Sequence, residues 1–151
     1  MPVKNILFLF SFLIMLSCKH QPVQKHNDLY GNWQFLTADG NYNEAFFSDS
    51  TYFSYNHKRG LFPVSHYYLK NDTLFSDANK NKEGMYPIAG FLLLNKDKVI
   101  FINQFSRDTL YRLSGDSLLS DFIENKGSMV YEKVFMDRYK AFLLERGIID
   151  E

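Results

Sequence analysis

The sequence contains one cysteine, Cys18, among its 151 residues. A domain with a single cysteine cannot form an internal disulfide, so its hydrophobic core must stabilise it. The chain also lacks an excess of either charge, with 17 basic and 17 acidic residues. Phosphate backbones are bound by clustered basic side chains. We therefore predict no nucleic-acid partner.

Long hydrophobic runs are scarce, and the one that stands out covers residues 6–16. It follows Lys4 and is closed by Ser17 and Cys18. A transmembrane helix needs about 20 apolar residues, so this run is too short to span a bilayer. A basic residue, a short apolar run and a small residue in this order are typical of an export signal. We predict that residues 1–17 form a signal peptide.

The segment Met15-Leu16-Ser17-Cys18 resembles the lipobox of bacterial lipoproteins, although Met15 stands where leucine is usual. The resemblance implies that Cys18 carries a diacylglycerol and becomes the mature N-terminus, so the membrane is a partner through a lipid anchor. Lys19 after the cysteine favours a location of the protein at the outer membrane of the bacterial cell envelope. An ordinary signal cleaved nearby and an uncleaved anchor remain alternatives.

The rest of the chain divides into a short polar segment and one domain. Residues 18–28 hold the lipidated cysteine and almost nothing apolar after it, which is typical of a solvated tether. Residues 29–151 have the length of a single domain. Aromatic and branched side chains alternate there with turns centred on aspartate, such as Asp72, Asp97, Asp108 and Asp116.

This pattern predicts a mainly β fold in which consecutive strands form antiparallel hairpins. Ten strands are predicted, and the last two cover residues 117–122 and 129–134. Such a meander leaves hydrophobic edges unless the sheet closes. We therefore expect an antiparallel up-and-down β-barrel of about eight to ten strands.

The period of apolar residues changes near the C-terminus and predicts an amphipathic helix. Phe135, Tyr139 and Phe142 share one helical face, Arg138 lies off that face, and Gly147 can end the helix. We expect the apolar face to pack against the barrel wall. A surface for a partner helix is the alternative.

The segment Gly31-Asn32-Trp33 at the start of the first strand is similar to the Gly-x-Trp motif of lipocalins. The meander and the late helix also resemble the lipocalin-like, calycin-type domains of bacterial lipoproteins. The resemblance implies that Trp33 packs across one end of the barrel under an arginine from a late strand, for which Arg112 is the candidate.

The strands carry many aromatic residues, and we predict Tyr52, Tyr55, Tyr67 and Phe91 as lining residues of a ligand site. Aromatic side chains line apolar pockets, so the expected ligand is a small apolar or amphipathic molecule. The alternative is that the rings fill the barrel. The protein would then be a non-catalytic interaction, inhibitor or structural module with an envelope protein partner.

No residue pattern indicates a reaction, so we predict that the protein is not an enzyme and has neither a cofactor nor a metal. His57 and His66 flank a loop, but the sequence contains no metal-binding or nucleophile motif around them. The carboxylates of Glu44 and Asp49 are interpreted as surface and turn residues.

The lipid anchor makes a direct prediction. The variant Cys18→Ser has no thiol to acylate, so it should incorporate no radiolabelled palmitate during growth, whereas the wild-type chain should incorporate it. Ser17→Ala is the matched control, because it keeps a small residue before the cysteine and should still be labelled. A wild-type chain without lipid, or with a mature N-terminus other than Cys18, would contradict the prediction.

Overall fold

The computed structural model describes residues 29–77, 83–124 and 129–150, which contain one antiparallel sheet and two helices. Its nine strands are β1 Gly31–Leu36, β2 Tyr42–Phe47, β3 Thr51–Asn56, β4 Gly60–Leu61, β5 Ser65–Lys70, β6 Thr73–Ser76, β7 Tyr86–Asn95, β8 Lys98–Ile102 and β9 Arg107–Arg112.

The sheet closes into a barrel of eight strands. Neighbours follow the order β2-β1-β9-β8-β7-β6-β5-β3, and a further pairing of β2 with β3 joins the two ends. The two-residue strand β4 pairs with β3 along the same edge as β5, which follows it in the chain. The predicted antiparallel barrel is confirmed, and its closure is compatible with a lipocalin-like fold. Closure removes the unpaired edges that a nine-stranded meander would expose.

Tight turns join most neighbouring strands, though one of them lies away from its predicted position. Asn71 and Asp72 have φ angles of 48° and 55°, which suit the two-residue turn between β5 and β6. Asp108, predicted as a turn residue, instead lies within β9. The turn before β9 is made by Asn103, whose Oδ1 accepts the backbone N–H groups of Phe105 and Ser106 at 2.8 Å each.

The last two predicted strands are wrong, because both segments are helical. Residues 117–122 overlap the helix α1, Leu119–Glu124, and residues 129–134 belong to the helix α2, Met129–Glu145. The N-terminus of α1 is capped by Asp121, which accepts the N–H of Leu118 at 2.8 Å. In α2, Tyr131 and Phe135 continue the helical spacing of Phe142, and all three are buried against the barrel.

The predicted C-terminal helix is therefore confirmed, and it starts six residues earlier than its first predicted apolar contact at Phe135. Its last residue is Glu145, and the predicted stop, Gly147, follows with a φ angle of 61°. The N–H groups of Gly147 and Ile148 donate to the carbonyls of Leu144 and Leu143 at 3.0 Å each. Neither helix in the described residues is long and apolar enough to cross a bilayer.

Two hydrophobic clusters lie on opposite sides of the barrel wall. The interior cluster is built by inward-facing side chains: Leu29, Trp33, Ala45, Phe47, Tyr67, Leu74, Phe91, Val99 and Leu110. The outer cluster joins the wall to the helices through Tyr42, Tyr55, Leu119, Tyr131, Phe135 and Phe142. Because side chains alternate along a strand, β2 and β3 supply residues to both clusters.

A buried ion pair lies within the outer cluster. Glu44, interpreted from sequence as a turn or surface residue, has no solvent exposure. Arg138 of α2 binds its carboxylate with two parallel hydrogen bonds, Nε to Oε1 at 2.7 Å and Nη2 to Oε2 at 2.8 Å. Arg138 therefore faces the barrel, and its predicted position off the packing face is corrected. The pair attracts strongly because both groups are shielded from water.

Two tyrosines complete the coordination of Glu44. The Tyr42 hydroxyl donates to Oε1 at 3.0 Å, and the Tyr131 hydroxyl donates to Oε2 at 2.9 Å. Burial, followed by the negative charge of Glu44, raises the pKa of both tyrosines well above its ordinary value. Both hydroxyls thus stay protonated as donors, and each carboxylate oxygen accepts two hydrogen bonds.

Removal of one partner of this ion pair should lower the stability of the protein. Arg138→Met leaves the Glu44 carboxylate buried without a cation, so we expect a loss of about 3–5 kcal/mol in the free energy of unfolding. The exposed Lys140 of the same helix is the control, and Lys140→Met should change it by less than about 0.5 kcal/mol. Equilibrium unfolding in urea measures both.

The double variant Glu44→Met with Arg138→Met provides a second test of this ion pair. It removes the uncompensated charge, so it should recover part of the stability lost in Arg138→Met. Equal stabilities for Arg138→Met and Lys140→Met would contradict the proposed importance of the pair.

Candidate functional site

One end of the barrel is closed by Trp33, and the fold brings Arg112 to it. Trp33 has no solvent exposure, and its indole Nε1 donates to the carbonyl of Leu29 at 2.8 Å. The guanidinium carbon of Arg112 lies 4.0 Å from the centre of the indole ring, within the range of a cation–π interaction. Trp33 pairs with Arg112 directly across β1 and β9. This end of the barrel is called the Trp33 end below.

Arg112 is held in place over Trp33 by two backbone carbonyls. Its Nε donates to the carbonyl of Lys96 at 3.0 Å, and its Nη1 donates to the carbonyl of Tyr30. Gly31 permits this close approach, because a Cβ atom there would lie 2.7 Å from Nη1 of Arg112. Gly31 also has a φ angle of 119°, which side-chain-bearing residues rarely adopt.

The four predicted lining residues do not share one site. Tyr67 and Phe91 belong to the interior cluster, and Tyr52 packs against it. Tyr55 instead lies on the outer side of the wall, where its ring contacts Phe135 with centroids 4.8 Å apart. Tyr52 and Tyr55 are three positions apart in β3, so alternation sends them to opposite faces. Because an odd number of positions separates them, the sequence alone indicates that Tyr52 and Tyr55 lie on opposite faces of the strand.

The interior rings contact one another closely. Tyr52 stacks on Phe47 with centroids 5.3 Å apart, and Tyr67 meets Phe47 edge-on at the same distance. The Tyr67 hydroxyl donates to the carbonyl of Ser48 at 2.6 Å. Burial raises the pKa of Tyr67 to about 12, with the charge of Asp49 as a smaller cause. Tyr67 therefore remains a neutral, internally bonded part of the wall.

Clefts lie among the connections at the barrel end opposite Trp33. A cleft of about 290 Å³ is bounded by Phe62, Pro63 and Val64 and reaches Tyr52 and Ser54, which face inward from β3. We call it the Tyr52 cleft. A polar cleft of about 380 Å³ is lined by the Asn41, Asn43 and Asn56 amides. The largest of the three, about 610 Å³, is shallow and lies between β7 and the turn at residues 103–106.

The Tyr52 cleft lies where the pairing along one edge of β3 is interrupted. β4 and β5 both pair with this edge, β4 at Tyr55 and Asn56 and β5 at Thr51 and Tyr52, and Pro63 and Val64 between them form no pair. The interruption leaves an aromatic ring, two serines and the carboxylate of Asp77 around one space. A hydrogen bond from His66 is the main cause that lowers the pKa of Asp77. The cleft thus combines an apolar wall with a negatively charged rim.

The two histidines considered from sequence are kept apart by the fold. His66 Nδ1 lies 2.8 Å from Asp77 Oδ2 at the barrel edge. His57 stacks on Tyr139 of α2 with ring centroids 5.2 Å apart. Its buried Nδ1 has no hydrogen-bond partner among the described residues. In residues 29–77, 83–124 and 129–150, no group of three or more His, Cys, Asp or Glu side chains has the arrangement of a metal site.

Some predicted features lie outside the described residues. Cys18, the signal peptide and the tether all fall before residue 29. Comparisons with protein-family models, with curated proteins and with solved structures found no match to this chain.

The close approach at Gly31 predicts a measurable effect at the Trp33 end. In Gly31→Ala the new methyl group strains the backbone and displaces Arg112 from two carbonyls and from the indole ring. We expect a loss of at least about 2 kcal/mol in the free energy of unfolding. Because Trp33 is the only tryptophan, its fluorescence should also change in the folded state.

Gly40→Ala is the matched control for Gly31→Ala. Gly40 also has a positive φ angle, 77°, but a Cβ atom there would meet no atom within 4 Å. This variant should lose only about 1 kcal/mol from backbone strain, with native tryptophan emission unchanged. Identical effects of the two substitutions would show that the contact with Arg112 is unimportant.

Proposed function

We propose that this chain is a lipid-anchored protein of the bacterial envelope whose barrel binds a small apolar or amphipathic molecule in the Tyr52 cleft. The observation that carries the proposal is the interruption of the pairing with β3 between β4 and β5, where a cleft reaches the inward-facing Tyr52 and Ser54. The anchor is supported by the lipobox-like segment that ends in Cys18.

The volume of the Tyr52 cleft limits the ligand. Pockets for drug-sized molecules measure about 300–1,000 Å³, so a cleft of about 290 Å³ favours a small molecule. Its apolar part would pack on Tyr52 and Phe62, while the Ser54 and Ser65 hydroxyls and the Asp77 carboxylate suit a polar or cationic group. Deeper entry is opposed by the contacts among Phe47, Tyr52 and Tyr67.

A second candidate is a non-catalytic interaction, inhibitor or structural module of the outer membrane. It is favoured by the packing of the interior, where the Tyr67 hydroxyl is already bonded to Ser48 and the rings contact one another. In that case an envelope protein, and not a small molecule, would be the partner.

Native mass spectrometry tests the ligand. The mature protein is purified from its own envelope in a mild detergent, and we expect a bound small molecule that leaves on denaturation. Ser54→Phe fills the cleft and should lower occupancy roughly tenfold, which corresponds to about 1.4 kcal/mol of binding free energy. Ser114→Phe adds the same ring at an exposed position outside the cleft and should keep the wild-type occupancy.

The melting temperature of Ser54→Phe establishes that this variant folds. Equal occupancy in Ser54→Phe and the wild type would exclude the Tyr52 cleft as the site. A spectrum without any bound molecule, unchanged when envelope lipid extract is added, would favour the interaction module.

A further inference from the structure

One side of the barrel wall has no helix on it within the described residues. The helices cover the outer sides of β1, β2 and β3 through residues such as Phe46 and Phe53, and they reach the end of β9 at Tyr111. Phe91 of β7, Val99 of β8 and Leu110 of β9 belong to the interior cluster. The residues next to them in each strand therefore point outward. We define the outer β7–β9 face as the outward positions Leu92, Leu94, Lys98, Ile102, Arg107 and Thr109, with Phe105 at its edge. Ile100 also lies at an outward position but is buried, with 5% exposure.

The outer β7–β9 face carries four exposed apolar side chains. Leu92 and Leu94 are 44% and 47% exposed, Ile102 is 42% exposed, and Phe105 at the turn before β9 is 85% exposed. Leu92 pairs with the buried Ile100 across the β7–β8 ladder, and Ile102 lies two residues further along β8 on the same face. Clustered exposed apolar side chains mark an interaction surface, whereas single ones are ordinary.

The charges on this face all have one sign. Lys98 and Arg107 lie at outward positions of β8 and β9, and no outward position of the described β7, β8 and β9 carries an acid. Asp108 shares the inward parity of Leu110, and Asp97 belongs to the turn at the Trp33 end. A chain with equal numbers of acids and bases thus presents a surface whose charged side chains are all basic. Anionic phospholipid is complementary to both properties.

The length of the tether brings a membrane within reach of this surface. Cys18 and Leu29 are eleven residues apart, and a fully extended chain of that length reaches roughly 35–40 Å at about 3.3–3.6 Å per residue. Leu29 lies beside Trp33, so the tether joins the barrel at the Trp33 end. This distance allows the side of the barrel to lie on the bilayer that holds the lipid. Aromatic side chains such as Phe105 are well suited to an interface of this kind.

We propose that the outer β7–β9 face rests on an anionic phospholipid surface, with Leu92, Leu94, Ile102 and Phe105 at the headgroup level and with Lys98 and Arg107 paired to lipid phosphates. The proposal depends on the proposed lipid anchor for its proximity to a membrane. The anchor holds the protein at the bilayer, and the face sets its orientation there.

Site-specific fluorescence tests the orientation. Acylation of Cys18 removes the natural thiol, so Ile102→Cys and Lys133→Cys each provide one site for an environment-sensitive nitrobenzoxadiazole label. Lys133 is exposed on α2 and serves as the control. The mature, lipidated proteins are reconstituted in vesicles of phosphatidylethanolamine and phosphatidylglycerol. We expect the label at position 102 to shift to the blue and resist an aqueous quencher, and the label at position 133 to be quenched.

Charge reversal provides the matched comparison. Lys98→Glu with Arg107→Glu should lower the ratio of shielded to exposed label at position 102 roughly tenfold or more, because each basic residue near an anionic surface strengthens association several-fold. An equal change of charge on α2, Lys133→Glu with Lys140→Glu, should leave that ratio unchanged. Circular dichroism verifies that all variants are folded.

The outcomes separate the face from the anchor. Protein that stays on the vesicles with both labels fully quenched overturns the face and leaves the anchor intact. Protein that is lost from the vesicles overturns both. Shielding at position 102 that persists in phosphatidylcholine vesicles and rises with protein density indicates a second copy of the chain on this face and overturns the lipid proposal.

Discussion

The buried carboxylate of Glu44 is the constraint on which the arrangement of barrel and helix depends. A charge without solvent exposure requires compensation, and Arg138 supplies it through two hydrogen bonds from α2. Apolar contacts between a helix and a sheet allow several positions, but a bidentate ion pair with two tyrosine donors specifies one. The position of α2 in turn determines which strands are covered and which outer face of the barrel is left exposed.

The two ends of the barrel differ because their connections differ. At the Trp33 end, short turns and the guanidinium of Arg112 cover the indole ring, and Gly31 allows that contact. At the opposite end, the pairing along β3 is interrupted between β4 and β5, beside Tyr52. Aromatic rings such as Phe47, Tyr52 and Tyr67 contact one another in the interior. The proposed ligand would therefore occupy a small cleft near the opposite end.

The two proposed surfaces lie on different sides of the same ring. In the order of strands, β3 and β5, beside which the Tyr52 cleft lies, are nearly across the barrel from β8. With the outer β7–β9 face on a lipid surface, the Tyr52 cleft would open away from the bilayer and exchange its ligand with the aqueous phase. The tether, the basic and apolar face, and the cleft would then have separate roles: attachment, orientation and binding.

Alternation, turn residues and one short motif are enough to predict β1–β3 and β5–β9, most turns, the closed barrel and the contact implied between Trp33 and Arg112. Residues 117–122 and 129–134 were misassigned because their branched and aromatic side chains suit either element, and only packing against the barrel decides for helix. Strand parity separates Tyr52 from Tyr55, but the sequence does not show which of the two faces outward, nor that Arg138 is the partner of Glu44. Both depend on residues distant in the chain, because burial of a charge and closure of a sheet are properties of the whole fold.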